Sequence, residues 1–148
     1  MSLEIKINND LKEAMKAKNE IRLRSIRGIK AAIMTLKTSG ANIQIGADDE
    51  IKLLQKMVKQ RKDSLSIFEQ QGREELAKVE RDEIEVIESY LPKQLSESEI
   101  ETIVREAIAA TGAASIKDMG KVMSVASKQV AGRAEGAVIS GIVKRLLA

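Results

Sequence analysis

Apolar residues recur every three or four positions along most of the chain, a spacing that predicts α-helices rather than strands. In the first 92 residues this pattern predicts four helices, over about 2–18, 20–39, 49–71 and 73–90. Asp48 or Asp49 is expected to cap the third helix, residues 40–47 to form the loop before it, and Gly72 to stop it.

Pro92 marks the natural boundary, because a proline disfavours helical backbone in the residue before it. Beyond it, Ser96 and Glu99 have the spacing of a capping box and should open a fifth helix. Two more helices are predicted, from about Ser115 to Val130 and from about Glu135 to the terminus. The predicted fold is all-α, with a helical N-terminal domain of about four helices over 1–92 and a small three-helix lobe over 93–148.

Composition supports helix packing and narrows the possible chemistry. With one Phe, one Tyr and no Trp, the core must be aliphatic, which suits packed helices better than sheets. The absence of Cys and His removes thiolate nucleophiles, disulfides and the usual metal ligands, so neither a cofactor nor a metal is expected. Without a hydrophobic signal region or a membrane-length apolar run, the chain is predicted to be cytoplasmic and to have no membrane partner.

Charge is segregated along the chain although the net charge is only +3. Residues 12–37 carry eight bases and two acids, and residues 52–62 carry five bases and no acid. Residues 72–106 carry eleven acids and five bases, and residues 116–148 carry six bases and two acids. Basic segments of this kind can follow a phosphate backbone, or they can pair with the acidic segment.

No catalytic pattern emerges from the candidates. The acidic run over residues 80–85 is interpreted as the solvated face of the fourth helix rather than a catalytic carboxylate pair. The serines lack a nucleophile elbow, and without His a base would have to be Lys or a carboxylate. The chain is therefore predicted to have no catalytic residues.

Two groups of cations are candidate nucleic-acid contacts. The main group is Lys117, Lys121, Lys128, Arg133 and Lys144, beside Gly120 and Gly132, whose exposed backbone N–H groups would suit phosphate. The plainer interpretation is that Gly120 allows close helix packing and Gly132 supplies a turn. The secondary group is Arg24, Arg27 and Lys30, which step by three along the second helix.

Several motifs spread along the chain carry a resemblance to a known family. They lie at residues 23–27 and 31–33, at 61–64 with Phe68, at 72–77, 80, 83–84 and 90–96, and at 118–123 and 132–136. The Tyr-Leu-Pro-x-Gln-Leu-Ser junction and the Met-Gly-Lys-Val-Met block are specific when they occur together. The whole chain resembles the YqeY family, small proteins related to the C-terminal tail of the GatB subunit of aspartyl/glutamyl-tRNA amidotransferase.

The resemblance implies a function for the basic lobe. Because the related tail resembles a tRNA-recognition appendage, the chain is expected to be a non-catalytic tRNA- or RNA-binding module. A Lys121/Arg133 double alanine variant should then weaken binding without loss of helicity. The alternative is a protein-interaction module that docks onto an amidotransferase or an aminoacyl-tRNA synthetase through apolar residues of its short C-terminal helices. Any glutamine-dependent carbon–nitrogen ligase label would come from the larger enzyme.

Overall fold

A computed structural model of the chain describes residues 2–40 and 44–148. Within these ranges the chain is helical and contains no strand, which confirms the all-α prediction. The helices are α1 (Leu3–Ala17), α2 (Glu20–Thr38), α3 (Ala47–Gln70), α4 (Glu74–Glu88), α5 (Glu97–Thr111), α6 (Met119–Val130) and α7 (Gly136–Leu147), with a 3₁₀ turn at Ile116–Asp118. The predicted loop over 40–47 falls partly outside the described residues.

The chain divides into two compact units, Met1–Leu91 and Pro92–Ala148. In the first unit, α1 packs on α2, and α4 packs on both α2 and α3. Its aliphatic core consists of Leu3, Ile7, Ala14, Ile26, Ile29, Ile33, Leu54, Val58, Ile84 and Ile87. These residues recur at helical spacing, so each helix buries one face and leaves the other in solvent.

Local signals define the helix ends in the first unit. The Asn19 side chain accepts a hydrogen bond from Arg22 N at 3.1 Å, so α2 starts directly after α1. Gly72 takes a left-handed φ of 69° between α3 and α4. The predicted Asp48 or Asp49 cap of α3 is wrong: Gly46 is the N-cap residue, and its N–H donates to the Asp49 carboxylate at 3.1 Å. Asp49 therefore lies inside the first helical turn.

Tyr90 ties α1, α2 and the end of α4 together. Its hydroxyl donates to Asp10 Oδ2 at 2.6 Å, and Arg22 lies 3.6 Å from the same carboxylate oxygen. Burial of the phenol and its hydrogen bond to Asp10 raise the pKa of Tyr90 well above its usual value. The only tyrosine of the chain is therefore a structural group in the first unit.

In the second unit, α5, α6 and α7 pack around a separate core. Its buried members are Ile100, Val104, Ala107, Val122, Ala126, Val130, Ala134, Ile139, Ile142, Val143 and Leu147. Ser96 caps α5 as predicted, because its hydroxyl accepts from Glu99 N at 3.2 Å. The backbone N–H of Leu95 donates to Arg133 O at 2.8 Å, so the start of this unit is held beside the α6–α7 turn.

Candidate nucleic-acid interface

Three predicted lysines lie on the solvent side of α6 and the turn before it. The buried stripe of α6 is Val122, Ala126 and Val130, whereas Lys117, Lys121 and Lys128 are all exposed. Successive residues of an α-helix rotate by about 100°, which places Lys121 and Lys128, two turns apart, on the side opposite that stripe. The structure therefore places Lys121 and Lys128 on one solvent-facing side of α6, and Lys117 is exposed on the turn before it.

These lysines make no ion pair with any residue that the structure describes. Asp118, the acid nearest in sequence to Lys117 and Lys121, accepts a hydrogen bond from Ala114 N at 3.0 Å through its carboxylate. That bond is the main cause that lowers the pKa of Asp118, and the charge of Lys121 adds a smaller contribution. The three ammonium groups therefore remain available to an anionic ligand.

Lys144 lies on the exposed side of α7 and is likewise unpaired in the described part of the chain. Its neighbour Arg145 differs, because its guanidinium donates to Glu101 Oε2 on α5 at 3.1 Å. Hydrogen bonds from Arg105 and from Arg145 lower the pKa of Glu101. Lys144 is therefore a fourth available cation of the second unit, while Arg145 joins two helices of the lobe.

Arg133 has a structural role within the lobe. Its Nε donates to Val130 O at 2.9 Å and its Nη2 donates to Gln129 O at 2.8 Å, so the guanidinium caps the C-terminal carbonyl groups of α6. The adjacent Gly132 has a φ of 80° and forms the turn after the helix. A phosphate would have to compete with two carbonyl groups for Arg133.

Gly120 does not fit the plainer interpretation, in which it allows close helix packing. It lies inside the first turn of α6, not in a turn between helices, and a Cβ atom added there would meet nothing within 4 Å. Close helix packing therefore does not explain this glycine. Its backbone does not require a left-handed φ either, since the positive-φ glycines are at other positions.

One member of the secondary cation group, Arg24, is engaged in an ion pair. Arg24 Nε donates to Glu83 Oε1 at 2.6 Å, which engages this arginine within the first unit. Arg27 is exposed and Lys30 is half-buried, and neither has an ion-pair partner among the described residues. Of the predicted secondary patch, Arg27 and Lys30 remain available for contacts.

Two buried carboxylates were missed by the sequence interpretation, which placed residues 80–85 on a solvated face. Glu80 is 8% exposed and Glu83 is 2% exposed, so that prediction is wrong for both. They lie on the core side of α4, whose buried residues Ala77, Glu80, Glu83, Ile84 and Ile87 follow helical spacing. That register is the sequence signal that could have identified them.

Arg61 of α3 completes this buried cluster. Its Nη1 atom lies 2.7 Å from Glu83 Oε2 and 3.5 Å from Glu80 Oε1. The Oε2 atoms of both glutamates are buried, and neither accepts a well-directed hydrogen bond. The cluster joins α2, α3 and α4, and it confirms that part of the basic stripe pairs with the acidic fourth helix.

The architecture is that of a small all-helical protein with two separate cores. The family model described as Yqey-like protein matches residues 4–147. The chain therefore belongs to the YqeY family. Within the described ranges, no helix combines the length and apolar character that a membrane crossing needs.

Several relatives carry the name altered inheritance of mitochondria protein 41, mitochondrial. The relative from Clavispora lusitaniae is 44% identical over 85 residues, which cover 55% of this chain and 47% of the relative. The relative from Pyrenophora tritici-repentis is 30% identical over 132 residues, which cover 87% of this chain and 71% of the relative. This chain spans about half the length of the first relatives that it matches.

The prediction of a cytoplasmic protein is wrong, because these relatives are named as mitochondrial proteins. The prediction depended on the lack of a hydrophobic signal region and on composition. A hydrophobic region identifies secretory signals, whereas mitochondrial targeting segments are amphipathic and rich in arginine and serine. The criterion therefore could not separate the cytoplasm from the mitochondrion.

Proposed function

We propose that the second unit binds tRNA, or another folded RNA, without catalysing a reaction. The observation that carries the proposal is the exposure of Lys117, Lys121 and Lys128, which have no ion-pair partner among the described residues; Lys144 on α7 is a fourth such lysine. Exposed lysine ammonium groups suit contacts with phosphates. Arg27 and Lys30 of the first unit are a secondary contact region in this proposal.

The aromatic content supports recognition of RNA by shape. Phe68 and Tyr90 are the only aromatic residues, and both belong to the first unit. Tyr90 is engaged with Asp10, and Phe68 is half-buried. Single-stranded RNA is commonly held by bases stacked on aromatic side chains, whereas double-stranded regions are recognised by phosphate and 2′-hydroxyl contacts. The lobe is therefore suited to a folded RNA.

Filter binding of the full chain tests the proposal. We expect folded tRNA to be retained at low salt, and its affinity to fall as salt is raised because bound lysines displace counterions from the RNA phosphates. Unstructured oligouridylate should bind less well, since the lobe offers no stacking platform. Failure to retain tRNA at low salt, or an affinity that does not depend on salt, would contradict the proposal.

Arg133 is a poor position for testing RNA contacts. Its side chain caps α6, so an Arg133→Ala change removes two hydrogen bonds from the lobe as well as a charge. A Lys121/Arg133 double alanine variant would therefore not distinguish a lost RNA contact from a loss of stability of the lobe. Substitutions at Lys117, Lys121 and Lys128 remove charge without breaking any ion pair between described residues.

Gly120 offers a test in which stability and binding are expected to change in opposite directions. Gly120→Ala should raise the free energy of unfolding of the second unit by about 0.5–1 kcal/mol, because glycine is a poor helix former and the new methyl group meets no atom. If RNA backbone approaches α6 closely here, the same methyl group should lower tRNA affinity several-fold. Thermal unfolding and filter binding of the same preparation measure both effects.

An unchanged or higher affinity of the stabilised Gly120→Ala variant would contradict close approach of RNA at this turn. A loss of stability would show that the glycine is required by the fold. The two outcomes are separated because unfolding and binding are measured independently.

Docking onto an amidotransferase or an aminoacyl-tRNA synthetase is the second candidate function. The observation that favours it is the exposure of Ile116 and Val138, which are 53% and 42% exposed on the C-terminal helices. Association with such an enzyme that survives nuclease treatment would distinguish docking from RNA binding.

A further inference from the structure

A cleft between α2 and α3 in the first unit plays no part in the proposed RNA contacts. Its volume is about 500 Å³, and its apolar lining includes Leu36 from α2 with Leu53 and Met57 from α3. All three side chains are half-buried, so they are neither sealed in the core nor fully solvated. A Cβ atom at Gly28 would lie 3.9 Å from Met57 Cε, which shows that the two helices are close at that level.

The α3 rim of this cleft carries positive charge. Lys52 and Lys56 line it one helical turn apart, both are exposed, and neither has an ion-pair partner in the described ranges. The acid on the same rim, Asp49, is engaged because its carboxylate accepts the Gly46 N–H that caps α3. The α2 side is neutral, with Thr35 and Ser39. The cleft therefore has an apolar floor and a rim with two available cations.

The dimensions of the cleft suit a short helix. Its α3 wall runs from Asp49 to Gln60, a span of about 16 Å at 1.5 Å per residue. That length matches about three turns of an α-helix in the cleft. The spacing of Lys52 and Lys56 by one turn matches a pair of carboxylates at positions i and i+4 of such a helix.

We infer that this cleft binds an acidic amphipathic helix of a partner protein. The apolar face of the partner helix lies on Leu36, Leu53 and Met57, and two of its carboxylates, one turn apart, pair with Lys52 and Lys56. Helix-in-groove binding of this kind uses apolar anchors at i, i+3 or i+4, and i+7. Methionine adapts to different apolar anchors, which suits Met57 to the floor of such a site.

The lining of the cleft favours a protein over RNA as the occupant. Apolar side chains on the floor would face polar sugar and phosphate groups if RNA lay there, and no aromatic residue lines the cleft to stack a base. An exposed apolar surface with a polar rim is typical of protein–protein sites. This inference concerns the first unit and does not depend on RNA binding by the second.

The test uses the full chain and two labelled model peptides. Both peptides form helices of about four turns with leucines at i, i+4 and i+7. At the positions that flank the leucines, one peptide carries glutamates and the other carries lysines. Fluorescence anisotropy should show saturable binding of the glutamate peptide and much weaker binding of the lysine peptide. Lys52→Glu/Lys56→Glu should reverse this preference, weakening the glutamate peptide about tenfold or more.

The matched control is Lys12→Glu/Lys16→Glu on α1, which changes the same charge at the same spacing on exposed residues outside the cleft. This variant should keep the wild-type preference. The inference would be overturned if the control variant weakened binding of the glutamate peptide equally, or if neither peptide bound. It would also be overturned if the Lys52/Lys56 variant did not reverse the preference between the two peptides. Loss of tRNA affinity in the Lys52/Lys56 variant, with peptide binding unchanged, would assign the rim to RNA and would also overturn it.

Discussion

Replacing Arg61 with Met should lower the free energy of unfolding of the first unit by about 3 kcal/mol, the low end of the cost of breaking a buried ion pair by removing one partner. Arg61 lies within ion-pair distance of both Glu80 and Glu83. Its loss leaves two buried carboxylates with Arg24 as the remaining cation, and Arg24 bonds only to Glu83. The value is at the low end because Arg61 itself is partly exposed and keeps some hydration in the native protein.

Chemical denaturation followed by tyrosine fluorescence measures this effect in the first unit. Tyr90 is the only tyrosine and the chain has no tryptophan, so the signal comes from that unit. Neutralising the carboxylates in an Arg61→Met/Glu80→Gln/Glu83→Gln variant should restore part of the lost stability, because the uncompensated charges are removed.

An exposed ion pair provides the control for this prediction. Arg81 donates to Glu74 at 2.7 Å on the surface of α4, and surface pairs contribute little to stability. Arg81→Met should therefore change the unfolding midpoint far less than Arg61→Met. Equal effects of the two substitutions would show that the cluster of Arg61 and the two glutamates does not stabilise the fold as we describe.

Replacing Lys117, Lys121 and Lys128 together with Ala should weaken tRNA binding by about a hundredfold, on the order of 1 kcal/mol for each lost phosphate contact. Each lysine is exposed and unpaired within the described residues, so the lobe should keep its fold. Circular dichroism checks the fold, and filter binding at constant salt measures the affinity.

The matched control for this variant replaces Lys12, Lys16 and Lys59 with Ala. These lysines are also exposed and without an ion pair in the described ranges, but they belong to the first unit. The control changes net charge by the same amount and should reduce affinity only slightly. A similar loss in both variants would mean that tRNA responds to overall charge and not to the α6 surface.

The sequence was sufficient to predict the helices and most of their ends. The spacing of aliphatic residues predicted the buried faces of the helices. Local signals such as Asn19, Gly72 and Ser96 predicted the helix ends. Both features depend on residues that are near one another in the sequence. The start of α3 was predicted less well, since an aspartate can act as the N-cap or, as Asp49 does, from inside the first turn.

The partners of the buried carboxylates could not be predicted, because residues distant in the sequence supply them. Glu83 was predicted to be solvated because a carboxylate is rarely buried, yet it is buried and pairs with Arg24 and Arg61, two partly exposed arginines of other helices. The hydrogen bonds of Arg133 to the carbonyl groups of Val130 and Gln129 were not predicted either, although these partners are near in sequence, and its phosphate contact stays a prediction. The environment of Glu83 depends on which partners the fold brings within reach.

In the proposed function, the lysines of α6 and the adjoining turn form an RNA-binding surface. The most direct test is the dependence of tRNA affinity on salt concentration, measured side by side for the wild-type chain and the Lys117/Lys121/Lys128 alanine variant. We predict a wild-type slope of log affinity against log salt of about −3 to −4, from four lysine–phosphate contacts, and a slope shallower by roughly 2–3 in the variant. Equal slopes for the two proteins would contradict the proposal.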